Sequence, residues 1–267
     1  MRRSGGQHST RLMPTNQRIR LIPAINKDVW AFSIGGLVRH PLILSYNDLL
    51  RQPTVTLPVS LICTDRRSID TAEYTGVPLS ALFDLVDLDP NATNVLIHGY
   101  DGYSTILSLE DFREQAVIAY MLDGETLTHD QGFPARLVIP GRFGYKMPKW
   151  VTRVEATAHE SGGFWESRGF DRDGIANAVE ITAHETLANG MIRLHGFVYS
   201  PSTPVLELQI AVDRGNRTSF PLEANQTRWQ VDWTPPYPNG VFQFDLAVGV
   251  APRRANALSS RPYTIHT

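Results

Sequence analysis

The sequence is poor in the residues that several large classes of protein require. It has one cysteine in 267 residues, which excludes an internal disulfide and a zinc or iron–sulfur site built from four cysteines of this chain. No apolar run approaches the ~20 residues of a membrane-spanning helix. The 25 basic and 27 acidic side chains nearly cancel, giving a net charge of −2. Because this balance provides no bulk attraction to phosphate backbones, we expect no nucleic acid as a partner.

The pattern along the chain predicts two domains after a polar extension. Residues 1–24 are polar and basic without hydrophobic periodicity, which is typical of a surface extension. Short strands and helices alternate irregularly over residues 25–176, which indicates an α+β domain. Residues 177–267 show period-two alternation and turn-rich connections, which predicts an all-β sandwich of immunoglobulin-like type.

Some elements can be predicted individually from their spacing. Residues 45–50 and 78–86 fit short helices, and helical spacing runs from residue 109 to residue 121. A short apolar strand is expected over residues 135–139. In the second domain, apolar residues alternate from Leu206 to Val212, as in a strand with one buried face.

The single thiol, Cys63, lies at the predicted end of a strand. Asp65, Arg66 and Arg67 follow it within four positions. Free cysteines are usually buried as small apolar residues, so a core position is one interpretation. Nearby positive charge lowers a thiol pKa and favours the thiolate, which is both a nucleophile and a ligand for soft metals. The residues alone leave a core, nucleophilic or metal-binding role open.

A second segment, residues 139–150, combines glycines with cations. Arg142, Lys146 and Lys149 fall within eight positions, and the last two are among only three lysines in the chain. Glycines allow backbone N–H groups to approach an anion, so this segment is suited to phosphate. It matches neither the Walker nor the dinucleotide glycine pattern, so a nucleotide is not implied. The alternative interpretation is a solvated basic loop.

A third segment, residues 98–103, is a polar turn directly after an apolar strand. Asp101 and Gly102 account for a hairpin by themselves. Tyr103 could also face a cleft as a hydrogen-bond donor or acid.

Taken in order, these segments resemble the molybdopterin-binding domain of the sulfite oxidase family. The resemblance runs from about Trp30 to Phe170. It rests on Cys63 with its two following arginines and on the motifs SIGGLV (33–38), YTGVPL (74–79), DGY (101–103), AYMLDGETL (119–127), QGFPARLVIPG (131–141), GYKMPKW (144–150) and FWESRGF (164–170). The β-rich tail is similar in position and pattern to the family's immunoglobulin-like dimerisation domain.

The resemblance implies a role for each matching residue. Cys63 would be the protein thiolate on molybdenum, beside the two sulfurs of the pterin dithiolene. Tyr103 matches the active-site tyrosine, and Arg67 falls near an arginine that holds an anionic substrate. The residues matching the pyranopterin and phosphate contacts are Asp101, Gln131, Arg136, Gly144, Tyr145 and Lys146. Lys149 is added to these on its charge alone.

The sequence also departs from the family pattern. One residue is missing between Cys63 and the arginine pair, and Gln131 stands where the family often has histidine or asparagine. The glutamine amide can still form hydrogen bonds, but unlike histidine it cannot gain a positive charge near neutral pH. The resemblance therefore implies the cofactor more firmly than sulfite as the substrate.

The function implied is a molybdenum-cofactor-dependent oxidoreductase that transfers an oxygen atom to or from a small substrate. The alternative within this class is a reductase of a sulfoxide, such as methionine sulfoxide. From other classes, a metal-free binding or assembly module and a cysteine hydrolase remain alternatives.

The same resemblance suggests partners. The sequence has no Cys-x-x-Cys-His haem motif, so a separate cytochrome or other electron-transfer protein is expected. The tail allows a homodimer. Without an apolar signal segment in the sequence as written, the expectation is a cytoplasmic location, or an extracytoplasmic one if the start has been trimmed.

Overall fold

The structure, a computed structural model, describes residues 21–62, 69–160, 162–176, 178–200, 205–223, 227–250 and 263–266. The chain divides into two compact units, Met1–Gly174 and Ile175–Thr267. In the ranges just given, no α-helix is both long and apolar enough to cross a membrane.

The first unit contains two sheets and three short α-helices. Its strands are β1 (Ala31–Gly36), β2 (Leu42–Ser45), β3 (Val55–Ile62), β4 (Ile69–Pro78), β5 (Asn94–Gly99), β6 (Ser104–Ser108), β7 (Val117–Leu122), β8 (Glu125–Thr126), β9 (Arg136–Val138) and β10 (Val151–Thr157). Its helices are α1 (Tyr46–Leu50), α2 (Leu79–Phe83) and α3 (Leu109–Gln115), with 3₁₀ turns at Gly144–Lys146 and Glu166–Arg168.

The first sheet has the strand order β2-β1-β10-β5-β6. Strand β1 pairs with β10 in parallel, whereas the other pairs are antiparallel. Alternate residues of β1, Phe32 and Ile34, are buried against a core that also contains Val154 of β10. The predicted period-two pattern of β1 therefore fixes which face of this sheet is covered.

The second sheet has the strand order β3-β4-β7-β8, and β9 also pairs with β7. At the end of β3, Ile62 forms an isolated parallel bridge with Phe143. This bridge brings the residue before Cys63 to the segment that carries Arg142 and Lys146.

Local sequence explains the first helix. The Asp48 N–H donates to the Ser45 hydroxyl oxygen at 3.2 Å, and the Ser45 N–H donates to the Asp48 carboxylate at 3.0 Å. This reciprocal capping box satisfies two donors that the helix end would leave unpaired. The prediction of a helix over residues 45–50 is thus confirmed.

The helix expected over residues 109–121 is wrong in its second half. Helix α3 ends at Gln115, and β7 begins at Val117. The residues from Val117 to Tyr120 are all buried, because Val117 and Ala119 pack into one apolar core and Ile118 and Tyr120 into another, on opposite faces of β7. A strand buried on both faces is continuously apolar and loses the alternation that identifies strands.

The second unit consists of two antiparallel sheets. Its strands are β11 (Ala178–Thr186), β12 (Ile192–Tyr199), β13 (Val205–Val212), β14 (Thr218–Pro221), β15 (Arg228–Trp233), β16 (Val241–Val250) and β17 (Tyr263–His266). The sheets have the orders β11-β12-β15 and β14-β13-β16-β17 and share one apolar core, to which Leu194 and Phe242 belong. Leu206, expected inward, is 45% exposed because the register shifts between Val205 and Glu207.

Both units are therefore dominated by strands. The helices of the first unit have five to seven residues each, so its helical share is smaller than the α+β prediction implies.

Candidate functional site

Two loops of the first unit are hydrogen-bonded to Trp150. Its indole N–H donates to the His129 carbonyl at 2.7 Å, and its own carbonyl accepts the Tyr100 N–H at 2.8 Å. The backbone of Trp150 has φ of 53°, a left-handed conformation that is rare for a bulky residue. Such conformations persist where the surrounding structure fixes them, and they cluster at functional sites. Trp150 thus fastens the 99–103 and 128–132 loops beside Lys149.

Two predicted cofactor residues, Arg136 and Lys149, are buried cations in this region. Arg136 is 2% exposed and Lys149 is 3% exposed. The Arg136 guanidinium donates to the carbonyls of Gln131 at 3.0 Å and Met147 at 3.4 Å, and its centre lies 5.7 Å from the Tyr74 ring centroid. Neutral carbonyls and a ring orient this buried cation, and a buried cation attracts an anion.

Lys149 lies near charges of both signs. Burial, together with the positive charge of Arg136, lowers the pKa of Lys149 to about 8, although Asp130 and Asp101 oppose the shift. The ammonium forms an ion pair with an Asp130 oxygen at 3.7 Å. An anion bound between Arg136 and Lys149 would relieve this unfavourable pairing of like charges.

Gly132 lies against both cations. A Cβ at this glycine would come within 3.0 Å of the Arg136 Cβ and 3.2 Å of the Lys149 Cβ, and its φ of 113° is disfavoured for any other residue. Because Gly132 has no side chain, its backbone can lie against the Cβ atoms of Arg136 and Lys149.

The substitution Gly132→Ala is therefore expected to weaken anion binding at this position by about tenfold, which is ~1.4 kcal/mol. The added methyl group crowds the Cβ atoms of Arg136 and Lys149, and the positive φ is strained for alanine. Retention of molybdopterin by the purified protein measures the effect. Gly124→Ala is the matched control, because Gly124 also has positive φ but nothing lies within 4 Å of its Cβ position. Equal losses of molybdopterin from the two variants would contradict a role for Gly132 in anion binding.

The predicted residues Gln131 and Asp101 each shape a loop. The Gln131 side-chain oxygen accepts the Thr128 N–H at 2.9 Å, which closes the turn before Gly132. An Asp101 oxygen accepts the Tyr103 N–H at 3.0 Å in the β5–β6 hairpin. Both contacts hold backbone segments that border Lys149.

The predicted residues Tyr103, Gly144 and Tyr145 come together at a second cluster. The Tyr103 hydroxyl donates to the Tyr145 carbonyl at 2.5 Å, and Tyr103 is fully buried. The Tyr145 hydroxyl donates to the Asp171 carbonyl at 2.5 Å. Burial raises the pKa of both hydroxyls well above the ordinary value, so both stay protonated. In this structure Tyr103 holds the Gly144–Lys146 turn in place.

Lys146 has an acidic partner that the sequence reasoning did not identify. Its ammonium is fully buried, 2.5 Å from the Glu166 carboxylate and 2.8 Å from the Ile106 carbonyl. Burial lowers the pKa of Lys146, and the attraction of Glu166 opposes that shift. Glu166 is part of the FWESRGF motif, but sequence spacing could not pair it with a lysine twenty positions earlier.

The remaining cation of the segment, Arg142, is also buried. It is 5% exposed, and its guanidinium donates to the Asp173 carbonyl at 2.8 Å. The alternative of a solvated basic loop is therefore wrong, because Arg142, Lys146 and Lys149 are all buried.

Cys63 and Arg67, the predicted metal ligand and substrate-binding residue, lie outside the described residues. The chain entering their segment is described as far as Ile62, whose bridge to Phe143 brings β3 to the cationic segment. Within the described parts of the chain, no group of three or more His, Asp or Glu side chains is arranged to hold a metal ion.

The sequence of the first unit matches a known domain family. Residues 20–165 match the profile of the oxidoreductase molybdopterin binding domain. The chain belongs to this family. The matched span contains Cys63 and each of the predicted site residues described above, but not Glu166.

Two curated relatives contain similar sequences. The chain is 34% identical over 170 residues to the nitrate reductase [NADPH] of Phytophthora infestans, covering 52% of this chain and 19% of that protein. It is 32% identical over 146 residues to the uncharacterized oxidoreductase YuiH of Bacillus subtilis (strain 168), covering 54% of this chain and 74% of that protein. The chain thus spans only about a fifth of the nitrate reductase.

A solved structure extends the likeness of fold. The sulfane dehydrogenase SoxCD from Paracoccus pantotrophus superposes with a TM-score of 0.63 over 91% of this chain and 76% of that chain, at 22% identity. The predicted sulfite oxidase family is confirmed, with the sulfite-oxidase-type molybdopterin domain fold. The molybdopterin-dependent oxidoreductase class and the molybdenum–molybdopterin cofactor are confirmed with it.

The described residues also fit this cofactor chemically. Molybdopterin carries a phosphate, and Arg136 and Lys149 are buried cations in close contact with Gly132, whose φ of 113° disfavours any other residue. Such a site favours an anion and has hydrogen-bond donors placed beforehand.

Proposed function

We propose that this chain transfers an oxygen atom between water and a small substrate. In the oxidative direction the substrate gains one oxygen atom from water, two protons leave to solvent, and two electrons pass to an electron-transfer protein. The bound cofactor supplies the two-electron redox chemistry, and the protein binds, orients and tunes it. The observation that carries this proposal is the buried pair Arg136 and Lys149, arranged for an anionic group inside a molybdopterin-family fold.

Each predicted residue has a role in this proposal. Arg136 and Lys149 hold the cofactor phosphate, while Asp101 and Gln131 fix the loops around it. The Gly144–Lys146 turn contacts the pterin. Cys63 is the thiolate on molybdenum, a soft ligand suited to that metal.

The substrate side rests on Tyr103 and Arg67. Arg67 would neutralise an anionic substrate as charge develops in the transition state. The Tyr103 hydroxyl already donates to the Tyr145 carbonyl, so it can donate to a substrate only by giving up that bond. We therefore assign Tyr103 first to the shape of the site and second to substrate contact.

Reduction of a small oxide, such as a sulfoxide, is a second candidate. It is favoured by the 34% identity to a protein named as a nitrate reductase. In that direction the substrate loses an oxygen atom to water and consumes two protons and two electrons.

The proposal extends to partners and to the second unit. A cytochrome or another electron-transfer protein would exchange the electrons, since the sequence has no haem-attachment motif. The two antiparallel sheets of residues 178–266 with one shared core support an immunoglobulin-like sandwich. A homodimer through this unit and a cytoplasmic location stay proposals.

Metal and pterin analysis tests the function. Protein from a host that makes the cofactor is expected to contain about one molybdenum and one pterin per chain, a ratio set by the single predicted thiolate ligand. Protein from a host lacking cofactor synthesis is the control. No molybdenum from the competent host would favour a metal-free binding module instead. Candidate substrates are then screened by their effect on the absorption spectrum of the metal centre.

A further inference from the structure

We infer that Glu166 is a positioning residue that fixes the cofactor turn, residues 144–147, through a buried ion pair with Lys146. The inference rests on the proposed function and adds a residue to it. It also changes the role of Lys146, which matched a cofactor contact in the sequence: its charge is directed to Glu166, and the cofactor phosphate is left to Arg136 and Lys149.

The ion pair is almost completely enclosed. The side chain of Lys146 is 0% exposed and that of Glu166 is 7% exposed. The carboxylate oxygen that contacts Lys146 also accepts the Thr105 hydroxyl at 2.5 Å, and the ammonium also donates to the Ile106 carbonyl. Each charge therefore has a second polar partner on β6, whereas the other Glu166 carboxylate oxygen is buried with no hydrogen-bond partner among the described residues.

Two glycines show how closely the backbone surrounds the pair. A Cβ on Gly163 would lie 2.1 Å from the second Glu166 oxygen, and one on Gly174 would lie 2.6 Å from Lys146 Cγ. Both glycines have positive φ, 88° at Gly163 and 59° at Gly174. The backbone thus lies directly against Glu166 at Gly163 and against Lys146 at Gly174.

Aromatic contacts join the same segment to the turn. The Phe164 ring lies 5.8 Å from the Tyr103 ring, and the Phe170 ring lies 5.3 Å from the Tyr145 ring, as distances between centroids. Tyr103 in turn donates to the Tyr145 carbonyl. The segment 163–174 therefore packs against the cofactor turn, and the Lys146–Glu166 ion pair is a charged contact between them.

This arrangement and a direct phosphate contact predict opposite results when Glu166 is neutralised. If Lys146 binds the cofactor anion itself, Glu166→Gln frees the ammonium, and cofactor retention rises or stays the same. If Glu166 positions the turn, the same variant leaves a buried ammonium without its counter-charge. The turn then loses its place, and retention falls.

The test compares Glu166→Gln, Lys146→Met and the double variant Lys146→Met/Glu166→Leu with the unsubstituted protein. Asp84→Asn is the control, because it breaks the exposed pair of Asp84 with Arg113 in the same unit. One measurement is the rate at which pterin and molybdenum leave the loaded protein during dialysis. The other is amide hydrogen exchange of residues 143–147 in cofactor-free protein.

Each single variant is expected to lose cofactor at least about tenfold faster and to raise exchange in the turn by about 100-fold. The double variant replaces the pair with apolar side chains of similar volume, so it is expected to stay within about threefold of the unsubstituted protein. A double variant that loses cofactor as fast as Lys146→Met alone, or a Glu166→Gln variant with unchanged exchange, would overturn the inference.

Failure of the proposed function gives a different result. An unsubstituted protein that never acquires molybdopterin refutes that function, whereas exchange in the cofactor-free turn still decides whether Glu166 positions it.

Discussion

Serine in place of Cys63 is expected to lower oxidoreductase turnover by at least about a thousandfold, or ~4 kcal/mol of transition-state free energy. A thiolate is a soft ligand with a pKa that neighbouring cations can lower, and Arg66 and Arg67 follow Cys63 closely. A serine hydroxyl stays protonated at neutral pH and is a hard donor. The measurement is turnover per molybdenum, with the metal content determined on the same sample.

The Cys63→Ser variant should nevertheless keep most of its pterin. Arg136 and Lys149, which we assign to the cofactor phosphate, are unchanged in it. Ser60→Ala is the matched control, since Ser60 lies three residues earlier and contacts only the exposed Thr71 hydroxyl, at 2.8 Å, among the hydrogen bonds described for its side chain. Full turnover in Cys63→Ser would contradict the assignment of Cys63 as the metal ligand.

Methionine in place of Lys149 is expected to change stability and cofactor binding in opposite directions. In cofactor-free protein at pH 7, the variant no longer buries a charge beside Arg136, so its free energy of unfolding should rise by about 1–3 kcal/mol. Cofactor retention should fall at least about tenfold, because one of two cations for the phosphate is gone. Chemical denaturation and pterin release measure the two effects.

The pH dependence follows from the lowered pKa. Burial and Arg136 lower the pKa of Lys149 from 10.5 to about 8, so between these values the unfolded chain binds more protons at this residue than the folded protein. Stability then increases as pH rises from about 8 to about 10.5, by on the order of 3 kcal/mol for the full shift. Below pH 8 the full cost of the buried charge is present. The advantage of Lys149→Met should therefore shrink over this range.

An exposed lysine provides the control for this experiment. The side chain of Lys27 is 49% exposed and pairs with Asp28, so Lys27→Met removes a solvated charge instead of a buried one. Its unfolding free energy should track that of the unsubstituted protein from pH 7 to pH 10.5. If Lys149→Met were less stable than the unsubstituted protein and retained cofactor normally, Lys149 would be a purely structural residue.

The parts of the fold that the sequence predicts are those in which one local rule decides the structure. Phe32 and Ile34 alternate on a sheet with one buried face, and Ser45 caps a helix three residues before its acidic partner. Residues 117–120 could not be assigned in the same way, because a strand buried on both sides has lost its alternation. The bulge that exposes Leu206 depends on the register with β16, which the strand's own residues do not specify.

The candidate site shows the same limit. Charge and glycine content singled out the segment of Lys146 and Lys149, and the family resemblance added Arg136. None of these signals distinguishes the two lysines, although one is paired with Glu166 and the other lies beside a second cation. That difference arises from tertiary contacts between segments that are far apart in the chain. Cys63 and Arg67 stay predictions from the sequence.

The central position of β10 has a consequence for the order in which the protein can assemble. This strand joins β1 on one side to β5 on the other, about 120 and 55 residues earlier in the chain. Until β10 has left the ribosome, the β1–β2 and β5–β6 pairs have no strand that joins them in one sheet. The segment that carries Lys146 and Lys149 is synthesised immediately before β10, so neither the complete sheet nor the Arg136–Lys149 pair can form before this part of the chain has emerged. A nascent chain therefore lacks the Arg136–Lys149 pair for the cofactor phosphate until most of the first unit has emerged.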